Sequence, residues 1–139
     1  MQTTLSVTLT IKSEVVQSLM IDGKECLQAS YIYLYEGEMY GIGIVATVPF
    51  GNDDQIYGIE RFSGTIGEMS GTFVLESYGI ERSREGNTIK TIVPGSGTKD
   101  FLGIKGAMTL VSVNDKKNEI AFHCEFESKL TKEDQPLSE

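Results

Sequence analysis

The sequence predicts an all-β fold, an antiparallel sheet of about eight strands closed into a barrel. Three observations lead there. Polar/apolar alternation with period two runs through most of the chain, short polar turns separate the runs, and many of the 15 glycines fall inside strand patterns. Successive side chains on a strand point to opposite faces, so period two marks half-buried strands. Glycines inside strands mark bends, bulges and tight curvature. Closure removes exposed sheet edges, and the regular meander favours a barrel over the alternative, a β-sandwich.

Taken in order, "TLSVTLTIK" sets Leu5, Val7, Leu9 and Ile11 on one face against Thr4, Ser6, Thr8 and Thr10 on the other. "SEVVQSLMIDGKE" breaks the pattern and reads as a short helical turn or an irregular loop. "CLQASYIYLYEG" aligns Leu27, Ala29, Tyr31, Tyr33 and Tyr35, and "MYGIGIVATVPF" aligns Tyr40, Ile42, Ile44, Ala46 and Val48. "PFGNDDQ" is a loop by composition. "IYGIERFSGT" and "SGTFVLESYGIER" flank a turn at Gly67-Glu68, and "SREGN" reads as the next turn, before "TIKTIVP". "GSGTKDFLG" is a longer connection, and "IKGAMTLVSV" and "EIAFHCEFES" flank the turn "NDKKN". One β-barrel domain over residues 1–130 and a flexible acidic tail over 131–139 follow.

With 139 residues the chain is long enough for one domain and a proper core. Its net charge of −8 argues against nucleic acid and anionic membrane surfaces as partners. No stretch approaches the roughly 20 apolar residues of a membrane span. The N-terminus has neither a basic region nor a compact apolar one, so no signal peptide is expected and the cytoplasm is the default location. Two cysteines, Cys26 and Cys124, and one histidine cannot build a four-ligand zinc site. The segment "GNDDQ" lacks the spacing of a calcium loop, so no metal and no cofactor is expected.

The tripeptide Ser-Gly-Thr occurs at 63–65, 70–72 and 96–98. A phosphate loop requires G-x-x-x-x-G-K-[ST] between a strand and a helix, and neither the Gly-Lys-Ser/Thr nor the helix is here. "GIGIVA" matches G-x-G-x-x-A only formally, inside a strand. Ser and Gly bend the backbone and Thr restarts a strand, so the repetition marks corners.

Four segments carry a resemblance: Gly58–Thr65 (GIERFSGT), Ser70–Leu75 (SGTFVL), Val93–Thr98 (VPGSGT) and Leu102–Gly106 (LGIKG). Over roughly residues 26–128 the chain resembles a bacterial domain-of-unknown-function family. The resemblance implies an allene oxide cyclase-like barrel, an eight-stranded fold shared with dirigent-type proteins, and a tendency to self-associate. It implies no activity, since one fold hosts many functions.

Glu60-Arg61 is the most informative pair. Adjacent strand residues face opposite ways, so one of the two charges must turn into the barrel, where it needs a partner or water. An inward Glu60 beside Phe62 is a candidate acid/base with a raised pKa, and Arg61 or a tyrosine hydroxyl is its candidate catalytic partner; a structural ion pair or a charge at a wet barrel mouth is the plainer reading. Glu81-Arg82 repeats the phrase near a loop and reads as surface charge. The stripe Tyr31, Tyr33, Tyr35, together with Phe62 and Cys124, is the candidate ligand-binding set; the stripe could equally pack plainly or form an oligomer interface. His123 falls on the face of Glu119, Glu125 and Glu127, which leaves no Ser-His-Asp triad. The function expected is a self-associating barrel, a homo-oligomer that takes a small apolar ligand into its interior. The alternative is a cofactor-free isomerase or cyclase that acts on a hydrophobic substrate through a lumen carboxylate.

Overall fold

Each strand of the chain hydrogen-bonds to the next, and the last returns to the first, so the sheet has no beginning or end. The structure, a computed structural model, describes residues 2–49, 56–78 and 86–127. The strands are β1 (Thr3–Ile21), β2 (Lys24–Gly37), β3 (Tyr40–Pro49), β4 (Ile56–Ile66), β5 (Met69–Tyr78), β6 (Thr88–Ile92), β7 (Ile104–Asn114) and β8 (Lys117–Phe126). All neighbours are antiparallel, and the seam is β1 against β8, from Thr3↔Cys124 to Thr10↔Lys117. The barrel is the expected one rather than the sandwich. The expected tail, the "GNDDQ" loop and Glu81-Arg82 lie outside the described residues.

The interior is filled unevenly. An aromatic ladder descends through it from Tyr31 to Tyr33, Tyr35, Phe62 and Phe73, with ring centroids 4.9–6.5 Å apart along the series. Phe101 and Phe122 close the far end against Phe73. β3 makes room for these rings. Its inward positions are Gly41, Gly43, Val45 and Thr47, and Gly43 lies in register between Tyr33 and Phe62. Small residues facing large ones let a narrow barrel fill without a void.

That arrangement turns the aligned residues Tyr40, Ile42, Ile44 and Val48 outward, and Ile44 is 62% exposed. On this strand the larger apolar side chains form the outer wall, where they join Ile32 of β2 and Ile59 of β4.

The expected helical turn or loop at 13–25 is instead extended. β1 runs on to Ile21, reverses at Asp22-Gly23 and pairs with β2 from Lys24. Asp22 and Gly23 both have positive φ, as a two-residue hairpin turn requires. A bulge between Ile11 and Ser13 switches the face parity of β1, which broke the alternation in the sequence. Beyond it, β1 and β2 leave the barrel as a two-stranded ribbon, because β8 pairs only as far as Thr10 and β3 only from Ala29. Val15, Leu19 and Ile21 are exposed on one face of the ribbon and Val16, Met20 and Leu27 on the other.

The Ser-Gly-Thr copies do two jobs. The first two sit in β4 and β5 beside the Gly67-Glu68 reversal, with Gly64 opposite Gly71. The third is not a corner. β6 pairs with β5 only at Leu75↔Ile92 and Glu76↔Thr91, and residues 93–98 cover the rest of that edge. The amides of Val93 and Thr98 donate to the carbonyls of Val74 and Thr72, and the amides of Thr72 and Val74 donate to Thr98 Oγ1 and Ser96 Oγ at 3.0 Å each. Two hydroxyls thus stand in for the carbonyls of a missing strand.

Candidate functional site

Three strands send one polar side chain each to the same point inside the barrel. Glu60 from β4 is 3% exposed and Lys90 from β6 is 4% exposed, while Tyr35 from β2 is fully buried. Lys90 Nζ donates to Glu60 Oε1 at 2.6 Å and to the Tyr35 hydroxyl at 2.7 Å. The Tyr35 hydroxyl in turn donates to Glu60 Oε2 at 2.5 Å. The triangle satisfies both carboxylate oxygens and compensates the buried charge, the condition under which such a pair is tolerated.

Local sequence explains each placement. Glu60 alternates inward with Phe62, opposite Val45 and Leu75. Its reach toward Tyr35 crosses β3 at Gly43, where any Cβ would collide with Glu60 Oε2. Lys90 shares the inward parity of Ile92, while a bulge between Thr88 and Lys90 brings Ile89 inward as well. Lys90 Nζ also lies 4.8 Å from the centre of the Tyr33 ring and 5.4 Å from that of Tyr35, within cation–π range.

Burial drives the Tyr33 and Tyr35 hydroxyls well above the ordinary tyrosine range, and the Glu60 charge adds to it; for Tyr35 so does its hydrogen bond to Glu60. Both hydroxyls therefore hold their protons to higher pH than an exposed tyrosine does. Burial likewise raises the Cys124 thiol, which suits a packed sulfhydryl rather than a nucleophile. Cys26 and Cys124 are both free.

Above the triangle the barrel is open. A pocket of about 280 Å³ is lined by Leu9, Ile11, Ile89, Leu110 and Val113, by Tyr31, Tyr33 and Lys90, and at its rim by Asp115 and Asn118. Of the candidate ligand set, Tyr31 and Tyr33 line this pocket and Tyr35 lies beneath it. Phe62 and Cys124 are packed in the core, away from it. Glu60 meets its partners below the pocket and does not line it. Arg61 points outward and is exposed, so it takes no part in the interior site. His123 is on the outer face as expected, 3.0 Å from the Thr4 hydroxyl. Among the described residues, no three His, Cys, Asp or Glu side chains gather where a metal ion could bind.

Lys90 is the site residue that the sequence reading did not single out. "TIKTI" carries Ile89 and Ile92 on opposite parities, so alternation cannot say which face Lys90 takes. The signal available was the need for a cation once Glu60 is placed inside.

A family model described as protein of unknown function, DUF3224, matches residues 2–124. The chain belongs to the DUF3224 family. A solved DUF3224 protein of unknown function from Shewanella oneidensis MR-1 superposes with a TM-score of 0.70 at 16% identity, covering 92% of this chain and 100% of that one. At that identity the likeness shows a shared fold. Among curated proteins, none matches the chain. DUF3224 thus accounts for the barrel and assigns no activity to its mouth. Among the described residues, no helix is long and apolar enough to cross a membrane.

Proposed function

We propose that this protein is a self-associating barrel that binds a small apolar molecule in its open mouth. The observation that carries the reading is the pocket: five aliphatic side chains and two tyrosines around one buried cation. Ligand sites are typically apolar concavities with a few placed polar groups, and about 300 Å³ is their lower size limit. The rest of the lumen is packed with aromatic rings, so the mouth is where a guest fits. Binding is favoured over cyclase or isomerase chemistry because Glu60, the expected acid/base, is bonded at both oxygens by Lys90 and Tyr35, and a base must reach the proton that it takes.

Self-association rests on the outer surface. Ile32, Ile42, Ile44 and Ile59 of the wall run on into Val15, Leu19 and Ile21 of the ribbon, and all are exposed. At about 4.8 Å between strands and 3.4 Å per residue, that face covers on the order of 700 Å². Each partner in a standard interface gives about 800 Å². The occupant is a second copy of this chain, because the ribbon is apolar on both sides and an isolated two-stranded ribbon is barely stable in water. A cytoplasmic location and an allene oxide cyclase-like ancestry are consistent with this reading.

Thermal-shift screening tests the ligand reading. At about 100 times its dissociation constant, a ligand of the folded state adds about 2.7 kcal/mol, which raises Tm by several degrees. One class of small apolar compound should do so, and an unmoved Tm across aromatic, aliphatic and lipid sets would reject the pocket as a binding site.

A further inference from the structure

We propose that the mouth pocket selects uncharged apolar molecules that carry a carbonyl oxygen, held by the third N–H of Lys90. This rests on the ligand-binding reading above. An ammonium has three donors, and among the described residues Lys90 Nζ has two acceptors, Glu60 Oε1 and the Tyr35 hydroxyl. Lys90 and Tyr33 both line the pocket, and Lys90 Nζ lies 4.8 Å from the centre of the Tyr33 ring, which puts a guest within reach of the ammonium. A carbonyl oxygen in the pocket would accept from this charged donor, a hydrogen bond that an apolar guest without an oxygen cannot make.

Charge decides what kind of oxygen. Glu60 already neutralises Lys90, and Asp115 adds a negative charge at the rim. Lys12, Lys116 and Lys117 face a neighbouring groove on the outside, together with Asp115. An anion therefore gains little in the pocket and an ammonium guest has no lone pair to accept from Lys90, whereas a neutral carbonyl accepts the hydrogen bond at no charge cost. The volume of about 280 Å³ limits the guest to a single ring or a short chain.

The test is calorimetric titration of the full chain with four probes of similar shape: acetophenone, ethylbenzene, benzoate and 1-phenylethylamine, with amide shifts mapped by NMR. Acetophenone should bind about tenfold or more tighter than each of the others, the worth of one hydrogen bond to a charged donor. It should shift the signals of Tyr33 and Lys90. In Lys90→Met/Glu60→Gln, which removes both charges together, acetophenone should fall to the level of ethylbenzene. Equal binding of acetophenone and ethylbenzene at the mouth would overturn the carbonyl selection and leave the pocket standing, and so would tightest binding by benzoate or the amine. Failure of all four to shift mouth residues would overturn both readings. If the double variant does not fold, the wild-type ranking alone decides.

Discussion

Without the Lys90 ammonium, the Glu60 carboxylate is left buried with Tyr35 as its one hydrogen-bond partner among the described residues. Lys90→Met alone should cost about 3–5 kcal/mol, and adding Glu60→Gln should recover much of it, because an unpaired buried charge is worse than none. Urea unfolding of the two variants measures the difference. The tyrosines give a second expectation. Their hydroxyls titrate higher in the folded chain than in the unfolded one, where the value is 10.0. Below that pH both states are protonated and the stabilisation is intact. Above it the unfolded chain loses protons that the folded chain keeps, so stability falls by about 1.4 kcal/mol per tyrosine per pH unit. Unfolding midpoints at pH 9 and pH 11 should show the loss, and Tyr33→Phe should reduce it. At this scale the sequence was half legible. Strand parity required one charge of Glu60-Arg61 to turn inward, but choosing between them needed the register against β3 and β5. Lys90 was hidden by a bulge, which leaves no mark when isoleucines occupy both parities.

Hydroxyl groups finish the sheet where β6 is too short to do so. Ser96→Ala removes the acceptor of the Val74 amide and should cost about 1 kcal/mol. Hydrogen exchange is the sharper readout, since protection of Val74 should drop more than that of Glu76, which faces the same edge and pairs with Thr91 of β6. Elements with clean alternation and short turns were legible in the sequence, because burial of one face imposes both the period and the register. Two were not. The β1–β2 ribbon was obscured by the bulge near Lys12, although Asp22-Gly23 is a strong hairpin signal. Residues 93–98 behave as a strand through side-chain oxygens, which no periodicity reports.

The apolar wall and ribbon should bring copies together against a net charge of −8 on each chain. Like charges repel across an interface and salt screens them over about 10 Å at 0.1 M. Sedimentation equilibrium should therefore show tighter association at 0.5 M than at 0.02 M NaCl. Ile42→Lys/Ile44→Lys should leave a folded monomer at both; an unchanged mass in that variant would place the contact elsewhere. The closed sheet itself was readable from strand number and turn length, whereas its outward-facing isoleucines were not, since one strand's alternation cannot tell inside from outside. The seam between β1 and β8 has a further consequence. A ribosome delivers β1 more than a hundred residues ahead of the strand that will flank it, so the nascent chain carries a bare edge for nearly its whole synthesis. Folding in the cell should wait on the last strand, and permuting the gene to start at the Gly67-Glu68 reversal would move that wait to a different seam.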